Sequence, residues 1–218
     1  MKRHHVATKV ITALASGISA FGIAYAGAPS QPKQLIELRT YKFASAEKQA
    51  AYAKFLGEVA VPALNRAGVK PVGIFKMNLA DNPKVKQVSL EETDLVVVLP
   101  FDDAATMVNL EATLDADKAY QKAGGNILNA PKKDPAFLRV TSSLMLAFDE
   151  CPTLEIPAKG KDRVFQLRIY ESHSADRALR KVDMFNEGGE LALFRKVGMP
   201  PVFFGQTLTG ERIPNLTY

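Results

Sequence analysis

The feature that most constrains this chain is that its opening returns in its last third. Leu38-Arg39-Thr40-Tyr41 comes back as Leu167-Arg168-Ile169-Tyr170, and Ser45-Ala46-Glu47 as Ser174-Ala175-Asp176. Ala63-Leu64-Asn65-Arg66 comes back as Ala192-Leu193-Phe194-Arg195, and every pair lies 129 positions apart. With Glu58 and Glu187, an ungapped overlay of Leu38–Arg66 on Leu167–Arg195 gives 9 identities in 29 positions. Unrelated segments of ordinary composition would share roughly 2. One residue of slip after Arg66 then sets Gly68-x-x-Pro71-Val72 on Gly198-x-x-Pro201-Val202. Two unrelated strand–helix units have no reason to keep a constant spacing, so the chain reads as a duplicated unit.

The pattern inside the first copy says what that unit is. Leu35–Tyr41 alternates, with Ile36, Leu38 and Thr40 on one face and Glu37, Arg39 and Tyr41 on the other, as a strand does. Ser45 is an N-cap with Glu47 in the first turn, and Tyr52, Phe55, Leu56, Val59 and Ala63 follow at helical spacing. Pro62 should bend that helix and Gly68 should close it. Strands are predicted at Val72–Leu79 and Asp94–Pro100, with a long polar loop over Ala80–Thr93 between them. A helix follows over Asp102–Asp117, continuing through Lys118–Gly124, and then a strand over Phe137–Phe148. The order β-α-β-β-α-β is the ferredoxin-like split βαβ, two helices on one face of a four-stranded antiparallel sheet. The predicted fold is α+β: tandem ferredoxin-like repeats forming a pseudo-dimeric α+β barrel, the second repeat incomplete. In that barrel Glu37, Arg39 and Tyr41, with Gln166, Arg168 and Tyr170, are expected to face the interior.

Five segments follow: a signal peptide over 1–26, a flexible lead-in over 27–34, a first repeat over 35–151, a linker over 152–162 and a second repeat over 163–218. Met1-Lys2-Arg3-His4-His5 is a basic head, Val10–Ala24 is apolar, and Ala24-Tyr25-Ala26 is a cleavage site of the A-x-A kind. The expected location is secreted or periplasmic. The apolar stretch is short and diluted for a span, so no stable membrane anchor is expected after cleavage. Removing Lys2, Arg3 and Lys9 takes the net charge from +5 to +2, too little for a nucleic-acid footprint. Cys151 is the single cysteine and reads as a small hydrophobe. Set against the first copy, the second lacks a further strand, helix and strand after Leu216-Thr217-Tyr218, about fifty residues by internal comparison with Leu95–Phe148, and is expected to be truncated.

Met184-Phe185-x-x-Gly188-Gly189-Glu190-Leu191-x-x-Phe194-Arg195-x-x-Gly198-x-x-Pro201-Val202-Phe203-Phe204-Gly205 is a specific run. With Leu208-Thr209-Gly210 and Pro214-Asn215-Leu216-Thr217-Tyr218, it resembles the NIPSNAP family. The match is strong over Phe165–Tyr218 and weaker over Leu35–Phe148. The resemblance implies a tandem ferredoxin-like, dimeric α+β-barrel architecture and no settled activity. Glu187, Gly188, Gly189, Glu190, Arg195, Gly198, Pro201 and Gly205 match family-signature positions, and their plain job is structural: a helix break, a close approach and a cap.

Little chemistry is written in the chain. One mature histidine, His173, and one cysteine make no metal-ligand spacing. Gly124-Gly125-Asn126 lacks the spacing of a phosphate loop, and no serine elbow appears. No cofactor is expected. The constellation worth carrying is Arg39, Tyr41, Arg168 and Tyr170, two guanidinium forks and two phenols for an anionic ligand in the inter-repeat cavity. Its structural alternative pairs Arg39 with Glu37 and packs the tyrosines. The functional expectation is a non-enzymatic binding module for a small ligand or a protein, with homo-oligomerisation possible. The alternative is a dimeric α+β-barrel enzyme such as a cofactor-free or haem-degrading monooxygenase, its haem version weakened by the absence of Trp.

Overall fold

The computed structural model describes residues 32–78, 91–157, 159–160 and 163–218. The expected signal segment and most of the Ala80–Thr93 loop lie outside the described residues. One antiparallel sheet organises the rest. Its strands are β1 (Leu35–Lys42), β2 (Gly73–Lys76), β3 (Leu95–Phe101), β4 (Arg139–Ala147), β5 (Ile169–Glu171), β6 (Gly205–Thr209) and β7 (Asn215–Thr217). They lie in the order β2-β3-β1-β4-β6-β7-β5. The first four give the ferredoxin-like order, and β6-β7-β5 repeats its 2-3-1 portion. The repeats join where β4 pairs with β6, Met145 opposite Thr207 and Leu146 opposite Gln206.

Register shows the duplication more strictly than identity does. Arg39 and Tyr41 stand opposite Val97 and Leu95; Tyr170 stands opposite Leu216, and Arg168 exchanges backbone hydrogen bonds with Tyr218 at 2.7 and 2.9 Å. The two opening strands thus meet their third strands in the same register.

The helices also match, with one correction. The described helices are α1 (Ala46–Phe55), a π-helical segment Leu56–Ala60, α2 (Val61–Arg66), α3 (Ala104–Ala116), α4 (Lys118–Leu128), α5 (Ala175–Asn186) and α6 (Glu190–Lys196). Ser45 and Ser174 cap α1 and α5 identically, accepting from the amides of Lys48 and Arg177. At the far end, Gly68 N–H donates to Asn65 O and Val69 N–H to Leu64 O. Gly198 and Met199 make the same bonds to Arg195 O and Phe194 O, now 130 positions on. The slip therefore falls before Ala192, not after Arg195. In the first repeat the helix runs on as a π turn ahead of Pro62, whose missing N–H and ring disfavour regular α-helix. In the second it breaks, Gly189 taking φ +77° between α5 and α6.

Three apolar clusters hold the molecule. The largest lies between β1 and β3 and the first repeat's helices, and contains Tyr41, Tyr52, Phe55, Leu64, Val97, Leu99 and Leu110. The sheet's other face gathers Ile36, Leu38, Val96, Val98, Met145, Ala147 and Phe203. The third, under α5 and α6, contains Phe148, Phe185, Leu191, Phe204 and Leu216. Cys151 is buried within it with a free thiol. Seven-residue β3 is buried throughout, which suits its apolar run and its place between two strands.

Candidate functional site: an uncovered groove on the second repeat

The four candidate ligand residues do not come together. Glu37, Arg39 and Tyr41 alternate as expected, but they point beneath the helices; Ile36 and Leu38 take the opposite face. The face assignment is reversed because both faces of β1 are buried, and only the helix side offers this polar set its partners. Glu37 Oε1 accepts from Arg39 Nε at 2.8 Å and from Ser142 Oγ at 2.6 Å. An Arg39 terminal nitrogen lies 3.6 Å from Glu111 on α3. Burial alone would depress the Arg39 guanidinium, and the Glu37 hydrogen bond and charge outweigh it, so its pKa is raised. Tyr41 packs its ring against Tyr52 and Phe137, at 5.0 and 5.3 Å between centroids.

Tyr170 sits in the third cluster, 5.2 Å from the Tyr218 ring and 6.3 Å from Phe185. Arg168 donates to Gln166 Oε1 at 2.8 Å and lies 6.0 Å from the Tyr218 ring centre. The two Arg–Tyr pairs therefore serve separate helix-side cores. The signature positions fall at backbone features. Glu187 caps α5, and a Cβ on Gly188 would lie 2.5 Å from the Met184 carbonyl oxygen. Gly189 and Gly198 both take φ +77°, Glu190 opens α6 and Pro201 is buried. Gly205 lets β6 approach Met145, whose Cβ would lie 2.7 Å from any Cβ built there. Arg195 Nη1 holds Glu155 Oε2 at 2.8 Å.

What the second repeat does present is a groove of about 310 Å³, lined by Glu171, Ser172, His173, Arg177, Arg180, Lys181 and Met184. Two strand–helix connections built alike meet different fates here. At 129 positions' distance, these residues match Lys42, Phe43, Ala44, Lys48, Ala51, Tyr52 and Phe55. In the first repeat that surface is covered by α4 and by the segment leading into β4. Phe55 meets Tyr120 at 6.0 Å between rings, and Tyr52 meets Phe137 at 5.5 Å. Lys48 Nζ pairs with Asp134 at 2.7 Å, and Leu138 N–H donates to Lys42 O at 2.8 Å.

In the second repeat no described residue does that work. Phe55 is 6% exposed; Met184, its counterpart, is 46% exposed. Further along, Ala63 and Val69 are buried, and Leu193 and Met199, which share their helix-end hydrogen bonds, are exposed. Among the described residues the sheet order ends at β5, whereas β1 carries β4 on the corresponding side.

Charges are redistributed along the groove, with Glu171 in place of Lys42 and the net formal charge of the lining unchanged at +2. Arg180 and Lys181 stand where Ala51 and Tyr52 stand in the first copy. Arg180 Nε pairs with Asp176 at 3.0 Å, while Arg177 lies 4.0 Å from the same carboxylate. Lys181 Nζ donates to Glu171 O at 3.1 Å and lies 5.8 Å from the Tyr170 ring centre. Ser172 Oγ, in Phe43's place, is buried with no hydrogen-bond partner among the described residues. The residue-by-residue reading of motifs missed these positions. The repeat itself carried the signal, because buried Phe43 and Tyr52 of one copy become Ser172 and Lys181 in the other. Among the described residues no group of three or more His, Cys, Asp or Glu is placed to hold a metal ion, and no helix is long and apolar enough to cross a membrane.

No protein-family model matches the chain, and no curated protein matches it. Among solved structures it is similar to a NIPSNAP family protein of unknown function from Agrobacterium tumefaciens. The two are 15% identical over 53% of this chain and 89% of that one, with a TM-score of 0.39. It is similar to an uncharacterized NIPSNAP-like domain protein from Burkholderia xenovorans, 12% identical over 62% of this chain and 97% of that one, TM-score 0.37. A dimeric ferredoxin-like protein from an uncultured marine organism is 14% identical over 51% and 85%, TM-score 0.33. At these identities the likeness concerns fold alone.

Proposed function

We propose that this chain is an exported, non-enzymatic module that binds a small ligand or another polypeptide through a surface that no described residue covers. The carrying observation is the contrast between Phe55 and Met184, two positions of the same helix register, one buried and one open. Leu179 on α5, Leu193 on α6, and Val197 and Met199 after it are exposed as well. Apolar side chains clustered on a folded surface mark interaction sites. The groove beside them adds arginine, lysine and glutamate, and β5 is the last strand of the sheet among the described residues. The buried Glu37–Arg39–Ser142 cluster supports a structural use for the residues an enzyme reading would need.

An apolar dye such as ANS tests the surface directly. The native chain should enhance its fluorescence, and Met184→Glu with Leu193→Glu should remove most of that enhancement while leaving the far-ultraviolet spectrum unchanged. Unchanged enhancement in the double variant would remove the proposed face. Oxygen uptake with quinols or haem that survives in the double variant would replace the binding reading with an enzymatic one.

A further inference from the structure

We draw no further inference here: the strongest candidate, the linker strap over 152–156 that seats Leu154 on the sheet face of Ile36 and Met145 and ties Glu155 to Arg195, belongs to the packed core already described, and nothing in the structure shows what ligand would displace it.

Discussion

Glu37 and Arg39 test whether the polar set of β1 serves the fold. The pair lies beneath the helices at 2.8 Å, with side chains 12% and 22% exposed. Replacing Glu37 by leucine removes the carboxylate that both Arg39 and Ser142 use. The guanidinium is then left with Glu111, 3.6 Å away and largely exposed. Breaking a buried pair costs about 3–5 kcal/mol because one charge stays buried without compensation. Arg39 keeps some access to water, so the lower end applies, about 3 kcal/mol. Arg39→Met should cost a similar amount, stranding the Glu37 carboxylate on one hydroxyl. The double replacement removes both charges and puts apolar volume in an apolar layer, and should lie within about 1 kcal/mol of the parent. Urea unfolding reads this directly: each single variant moves the midpoint down by roughly 1.5 M for an m-value near 2 kcal/mol/M, and the double nearly restores it. Additive losses in the double variant would refute the reasoning. Single losses under about 1 kcal/mol would show the pair to be effectively solvated.

Burial pushes Cys151, Tyr120 and Tyr218 each up to about 12, from ordinary values of 9 and 10. A raised acid pKa stabilises the fold fully below the unfolded value and loses that stability as pH rises through the folded one, so urea midpoints should fall between about pH 9 and 12. Cys151→Ala should remove the earliest part of that fall, and a midpoint flat to pH 11 would contradict the assignment. The same protonated, buried thiol should react with a chromogenic disulfide at pH 8 only after denaturant is added. Gly205→Val would drive a side chain into Met145 at the β4–β6 junction and should cost about 1–3 kcal/mol in thermal unfolding. Arg195→Ala should release Glu155, whose amide also donates to Val202 O at 2.7 Å, and speed tryptic cleavage at Lys159 several-fold; an unchanged cleavage rate would show that the linker is held by other contacts.

Sequence carried the order of elements well because period and caps are local. Ser45 and its repeat counterpart Ser174 are both N-caps, and the ferredoxin-like order emerges in the sheet. It carried less of what depends on partners across space. The repeat sets Leu167–Tyr170 on the strand residues Leu38–Tyr41, and only Ile169–Glu171 forms a strand, paired among the described residues with β7. The reversal at Arg39 and Tyr41 has a related cause. Alternation separates two faces but does not name them, and a strand buried on both sides gives no hydrophobic excess to break the tie. The partners of Glu37 and Arg39 decide the matter, and these are Ser142 and Glu111, each more than seventy residues away.

The same limit explains why the groove escaped a search for motifs. Its residues form no recognisable spacing; they acquire meaning only against their counterparts in the other copy. A duplicated fold is an internal control on burial, since corresponding positions begin with the same geometric environment. Where Tyr52 is buried and Lys181 is not, the difference cannot lie in the strand–helix unit, which is shared down to its caps and register. It lies in what covers the unit. Arg180 pairs with Asp176 and Lys181 donates to the Glu171 carbonyl, so the cations that replace Ala51 and Tyr52 meet partners within their own repeat. Divergence between the repeats thereby marks the side of the second repeat whose described surroundings differ from those of the first.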